Sequence, residues 1–321
     1  MLEFFVSLLN TKEKLGISWF ILFWLSVTLI VGVIGIFMLT CEKVLPTWLV
    51  VLYKYGKTLA TLSNGERNAY SAGCMKFLMI KKKYFSHFYA IAGIINLIVI
   101  LSAYLYKLKI RDFVYPTLKF IFGDINYVGL EPYSFSVICL MHITRRYLEC
   151  VFISVSSDNE INIIHYMTGI VFYLSIALFN ANNLYATVHF IKWERLLITS
   201  IGFIIFFIGQ TIQLWAHYEL ARLRHDPNSI RSSRFRFVRR GTYYFPDGRL
   251  FKYVSCPNYA AEIITYTSLY LLTDFNYNWL ALYIWVIVNQ IISAILTHRW
   301  YQVAFAELYP ADRRAIIPFL L

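Results

Sequence analysis

Seven stretches of the chain are nearly unbroken apolar sequence, at 17–39, 85–106, 134–156, 164–184, 196–220, 258–273 and 279–297. Each approaches the roughly 20 residues that a bilayer core demands. Lipid admits only helices or closed barrels, and these runs are too long for barrel strands. The pattern predicts an all-α integral membrane protein, a bundle of seven transmembrane helices. Two segments are less regular. The third carries His142, Arg145, Arg146 and Glu149 and is expected to face the interior, while the sixth is short and opens on polar residues. No repeat, low-complexity tract or Gly/Ser linker divides residues 1–321, so one transmembrane domain is expected.

Composition agrees with this pattern. The chain is 59% hydrophobic and only 15% charged, more apolar than a soluble domain can bury. Its formal charge of +12 raises the question of nucleic acid, but the basic residues cluster in loops between apolar segments, which is how membrane topology distributes them. No nucleic-acid partner is expected. Eight Lys or Arg residues lie between the first two segments, against Lys12 and Lys14 before the first. The more basic side is cytosolic, which places the N-terminus across the membrane. A second basic loop, 221–257, holds nine Lys or Arg residues, and seven spans put it and the C-terminus in the cytosol as well. The five cysteines form no CxxC pair, so free thiols and no metal site are expected.

Polar residues inside the spans carry the chemistry. On the fifth segment Gln210, Gln213, His217 and Arg224 recur at helical spacing along one face. On the third, His142, Arg146 and Glu149 do the same, the last two as a possible internal ion pair. The sixth opens with Asn258 and Glu262 at i and i+4, followed by Thr265. The seventh carries Asn289, Gln290, Ser293, Thr297, His298 and Tyr301. Buried polar groups need partners, and four such faces suggest convergence on one cavity at the cytosolic half. Just before the sixth segment, Gly241 to Glu262 is dense in tyrosine hydroxyls and amides and adjoins the arginine-rich loop. Guanidinium groups clamp phosphates and tyrosines stack on rings, which suits a dinucleotide. No GxGxxG, P-loop, HExxH or GxSxG is present, so Rossmann, NTPase, zinc-protease and serine-hydrolase readings have no motif support.

At these residues the chain resembles the steroid 5α-reductase family of membrane oxidoreductases. The match lies in LARLR at 220–224, FPDGRLFKYVSCPNYAAEI at 245–263 and HRWYQVAFAELYPADRRAIIPFLL from 298 onward. The part from 196 to 321 carries it best. LYKYGKT at 52–58, KKYFSHFYAI at 82–91 and MHITRRYLECVFISVSS at 141–157 are similar to the family's polyprenal (polyprenol) reductase branch. The resemblance implies a seven-helix bundle of the endoplasmic reticulum membrane that takes NADPH from the cytosol. It further implies reduction of the α-isoprene double bond of a polyprenoid lipid, toward the dolichol used in N-glycosylation. By the same resemblance Arg146, Gln213, His217, Arg224, Tyr243, Asn258, Glu262, Tyr301 and Arg313 fall on cofactor-facing positions.

The sequence departs from the steroid-reducing pattern at two points. A tyrosine that follows the third-segment histidine in those members is Ile143 here, and their ketone-holding glutamate has no counterpart near Tyr55 to Lys57. Both departures speak against a steroid. They leave His142 and Lys57 as candidates to polarise the carbonyl, with Tyr55 and Ile143 as substrate contacts. The alternatives are another conjugated C=C reductase, acting on a 3-oxo-4-ene steroid or an enoyl thioester, a methyltransferase, or a lipid-binding or transport protein.

Overall fold

The computed structural model describes residues 17–54, 58, 79–107, 114–123, 126–127, 132–154, 160–185, 187–188, 195–225, 239–240, 243–306 and 308–318. Among them the chain is almost wholly helical. The helices are α1 (Trp19–Thr40), α2 (Thr47–Tyr53), α3 (Ser86–Lys107), α4 (Val114–Phe122), α5 (Pro132–Leu148), α6 (Ile163–Tyr185), α7 (Leu196–His225), α8 (Pro257–Leu272) and α9 (Tyr277–Ala304).

All seven apolar segments are helical. Among the described residues, five helices, at Trp19–Thr40, Ser86–Leu105, Ile163–Tyr185, Leu196–Arg224 and Tyr277–Ala304, are long and apolar enough to cross a membrane. The protein is therefore a helical transmembrane protein. The third and sixth segments form α5 and α8, which are shorter or more polar than those five. The short helices α2 and α4 fall between the apolar runs. α5 does not stop cleanly at Leu148 but continues into one π-helical turn, Glu149–Ile153, closed by Ser154 N donating to Glu149 O at 2.7 Å. Such turns concentrate near functional sites.

Packing pairs α7 with α8, α1 with α9, and α3 with both α5 and α6. The approach of α7 to α8 depends on missing side chains. A Cβ at Gly209 would come within 3.0 Å of Thr265 N and 3.2 Å of Ala261 O, and one at Gly202 would meet the Leu272 side chain at 2.9 Å. Only glycine lets the two backbones come this close. At the end of the bundle where they begin, α1 and α9 are tied: Asn276 caps α9 through Asn278 N (2.9 Å), and Ser18 donates to Asn278 Oδ1 (2.5 Å) while capping Ile21 N.

An aromatic core fills the interior. Trp279 meets Phe135, Phe179 and Tyr266, and Trp24 meets Phe172 and Trp285, with centroids 4.9–6.1 Å apart. Rings of this size bury enough area to dominate packing energetics. Short strand pairs fasten the connecting segments. β1 (Met79–Lys81) runs antiparallel to β3 (Glu160–Asn162), β2 (Asn126–Tyr127) parallel to β4 (Thr187–Val188), and β5 (Arg239–Arg240) antiparallel to β6 (Tyr243–Tyr244).

Candidate functional site

Among the described residues, the polar faces read from the sequence gather in two hydrogen-bonded clusters. The first lies between α5, α7 and α8. Arg145 donates through Nε to Gln210 Oε1 (2.5 Å) and through its Nη groups to Gln213 and Glu149. Arg146 also pairs with Glu149, and its other Nη donates to the Tyr89 hydroxyl of α3 at 3.0 Å. The Nδ1 of His217 sits 2.8 Å from Glu149 Oε2 and 2.7 Å from Arg146 Nη1. Gln213 donates to Glu262, and Gln210 bridges His142 Nδ1 (3.0 Å) to Thr265 Oγ1 (3.3 Å).

Charge decides how this cluster survives burial. Glu149 is 1% exposed and both guanidinium groups are mostly enclosed, so unpaired charge here would be very costly. Arg145 and Arg146 are balanced by Glu149 and Glu262, leaving the cluster neutral when both histidines are neutral. The ion pair expected between Arg146 and Glu149 is present. Its second arginine, Arg145, is the residue that joins α5 to both glutamines of α7. Neither that link nor the part taken by Tyr89 is signalled by the helical period of α5 alone.

The second cluster lies where α7, α8 and α9 end and begin. Arg313 is 2% exposed, donates to Pro246 O (3.0 Å) and Asp247 Oδ1 (3.3 Å), and packs its guanidinium over Phe245 (4.8 Å) and Tyr309 (5.3 Å). Burial lowers the Arg313 pKa, and Tyr309 and Asp247 act against that shift. Arg224 lies over Tyr243 at 4.9 Å, and Tyr243 packs on Trp300 beside Tyr301 and Phe305. Ser255 Oγ sits 2.8 Å from His298 Nδ1 and within hydrogen-bond contact of Tyr309, whose hydroxyl is itself 2.7 Å from His298. Burial pushes Tyr309 up to about 12, despite the Ser255 contact.

Backbone pairing holds this second cluster together. The segment around Val254 runs parallel to that around Arg314: Arg314 N donates to Tyr253 O (3.0 Å), Ser255 N to Arg314 O (2.8 Å) and Cys256 N to Ala315 O (3.1 Å). The preceding turn, Pro246-Asp247-Gly248, uses Gly248 at φ +96, a conformation that glycine adopts freely. Thus 245–256 and 309–316, sixty residues apart in sequence, form one wall.

The remaining expected site residues fall as follows. Asn258 is half-buried in the first turn of α8, one turn before Glu262. Ile143 is 1% exposed in the aromatic core, its Cγ2 3.9 Å from where a Cβ on Gly93 would stand. Tyr55 and Lys57, and the 231–238 part of the arginine-rich run, lie outside the described residues. Beside the first cluster runs an apolar groove of about 720 Å³, lined by Leu140, Thr144, Leu148, Phe152 and Leu214, with Arg145 and Glu149 among its walls.

Residues 159–321 match a family described as 3-oxo-5-alpha-steroid 4-dehydrogenase. Along most of its length the chain is also similar to proteins named polyprenal reductase. It is 30% identical to the Homo sapiens protein over 284 residues, covering 84% of this chain and 85% of that one. The Drosophila melanogaster protein is 30% identical over 87% of this chain and 86% of its own, and the Caenorhabditis elegans protein 29% over 76% and 80%.

The chain belongs to the steroid 5α-reductase family.

As a member of that family it is an oxidoreductase acting on a carbon–carbon double bond. The family match begins before α6 and runs through α7, α8 and α9, so it takes in the whole second cluster and the α7 and α8 sides of the first. The α5 side, with His142, Arg145, Arg146 and Glu149, lies ahead of it.

Proposed function

We propose that this protein is an NADPH-dependent polyprenal reductase of the endoplasmic reticulum membrane. In this reading it saturates the α-isoprene double bond on the way to dolichol for protein N-glycosylation. The observation that carries the reading is the likeness to polyprenal reductases, which extends over most of both chains and so includes the region ahead of residue 159. With α5 and α8 taken as embedded, the chain has seven membrane helices in one unit over 1–321. The basic loops then face the cytosol, with the N-terminus lumenal and the C-terminus cytosolic.

The residues present fit a dinucleotide. Among the described residues, Nε of Arg146 and Nε of Arg313 are buried without a hydrogen-bond partner, one donor in each cluster. Arg224 and Arg313 would hold phosphate, helped by the arginines of 231–240. Tyr243 and Tyr301 would pack against rings, and Arg146, Gln213, His217, Asn258 and Glu262 would orient the nicotinamide end. When bound, NADPH supplies a hydride for the β-carbon of the conjugated carbonyl. The chain's part is to set geometry, exclude water and stabilise the charge that develops on the carbonyl oxygen. His142 borders the aromatic core where that oxygen would lie; Lys57 and Tyr55 are the other candidates from the sequence, and Ile143 contributes apolar substrate contact.

Purified full-length protein in detergent, offered NADPH with polyprenal, polyprenol or a 3-oxo-4-ene steroid, tests the reading by loss of NADPH absorbance. Oxidation with polyprenal alone supports it. Turnover with the steroid alone moves the assignment to another conjugated C=C reductase, in line with the description of the matching family. Failure to bind NADPH removes the reductase reading.

A further inference from the structure

A polyprenal has a single polar atom, its carbonyl oxygen, at one end of a long hydrocarbon. It must place that atom where the polar cluster meets the apolar interior. That junction is visible. The ring of Tyr266 on α8 stands edge-on to His142, centroids 5.8 Å apart, packs against Phe172 at 5.6 Å and stacks at 13° on Trp279. It therefore has the charged network on one side and the aromatic core on the other. Glu262 lies one helical turn before it, and Tyr89 and Tyr173, in contact at 4.9 Å, complete a group of buried tyrosines around the first cluster.

Tyr266 is 0% exposed, and its hydroxyl has no hydrogen-bond partner among the described residues. The Tyr89 hydroxyl is taken by Arg146. His142 is also open at one atom, Nε2, which lies 4.0 Å from Glu262 Oε1, beyond hydrogen-bond reach. A buried hydroxyl without a partner is costly, so its persistence calls for a reason. A bound carbonyl oxygen is such a reason.

We infer that Tyr266 is a catalytic residue, donating the hydrogen bond that polarises the substrate carbonyl. The inference rests on the reductase reading above. Hydride arrives at the β-carbon, the electron pair of the C=C bond shifts toward the carbonyl, and the oxygen becomes an enolate oxygen held by the Tyr266 hydroxyl. A proton from solvent then adds at the α-carbon and the carbonyl re-forms. The net change is enal plus NADPH plus a proton giving saturated aldehyde plus NADP⁺, with Tyr266 unchanged. This accounts for the absence of a tyrosine at Ile143: the donor stands on α8 instead of α5.

The test is Tyr266→Phe in the full-length protein. Loss of one donor to a developing oxyanion lowers kcat on the order of 100-fold. NADPH affinity, read by fluorescence, stays at the wild-type value, and the thermal midpoint does not fall, because the variant removes an unsatisfied hydroxyl. A second readout does not need turnover. A short isoprenoid enal bound to the NADP⁺ form shows a red-shifted absorbance when its carbonyl accepts a hydrogen bond, and the shift disappears in Tyr266→Phe. Wild-type kcat in the variant, an unchanged enal spectrum, or loss of NADPH binding together with stability overturns the assignment while leaving the reductase reading in place. Wild-type protein that binds NADPH but neither turns over polyprenal nor shifts the enal spectrum removes both.

Discussion

The two arginine clusters of this protein solve the problem of a buried guanidinium in opposite ways. Arg145 and Arg146 are neutralised by carboxylates on neighbouring turns and helices, and side chains alone join α5 to α7 and α8. Arg313 has one carboxylate at 3.3 Å, and otherwise rests on a backbone carbonyl and two aromatic faces within a wall held by backbone pairing. Around it, Arg224, Arg249, Lys252 and Arg314 keep the end of the bundle cationic. A neutral interior cluster suits the uncharged reacting end of a ligand, and a cationic stacked one suits its phosphates. The comparison teaches that charge balance, more than arginine content, separates the two centres.

Four variants and a titration can break that comparison. Glu149→Ala leaves two buried guanidinium groups without their shared carboxylate. It should destabilise the protein by about 3–5 kcal/mol, seen as a lower thermal midpoint in detergent; an unchanged midpoint would mean that the cluster is not held by charge balance. Arg313→Ala should keep the fold but weaken NADPH binding roughly 10- to 100-fold, the loss of a charge-assisted contact, and Asn258→Ala should act in the same direction. If both variants keep wild-type NADPH affinity, the cofactor does not bind at these residues. Ile143→Tyr should overpack the core beside Gly93 at a cost of about 1–3 kcal/mol and yield no ketosteroid reduction; steroid turnover by that variant would count against the polyprenoid assignment.

The smallest effect is at Tyr309. Burial holds its pKa up at about 12, against an ordinary value of 10.0. A phenol with a raised folded-state value contributes no stability from its proton below pH 10, where folded and unfolded chains both keep it, and costs stability above pH 10, where the unfolded chain releases it first. The loss grows until the folded chain also ionises, near pH 12. Tyr309→Phe should therefore flatten the alkaline loss of stability above pH 10, measured by thermal melting across that range. Equal slopes in the two proteins would place the hydroxyl in contact with water.

Much of this arrangement is legible in the sequence itself. Hydropathy locates every apolar helix to within a few residues at most ends, because length and composition alone meet the demand of a bilayer. Helical spacing puts Gln210, Gln213 and His217 on one face and brings Arg146 to Glu149, because those partners sit on the same or adjacent turns. What the period does not contain is distance between helices. It therefore does not tell that His298 and Tyr301 gather with Ser255, Tyr309 and Arg313 while Gln210 gathers with His142. It carries no sign of the pairing between Val254 and Arg314, which closes a loop of sixty residues. Tyr266 is equally silent, since a tyrosine in an apolar helix looks like any other ring until its neighbours are known.

The missing side chain at Gly209 also sets apart the way in which neighbouring helices are joined. With the backbones of α7 and α8 so close at Gly209, little room is left between those two helices. α5 instead meets them through the side chains of His142, Arg145 and Arg146. The apolar groove past Leu148 and Leu214 runs beside this second junction.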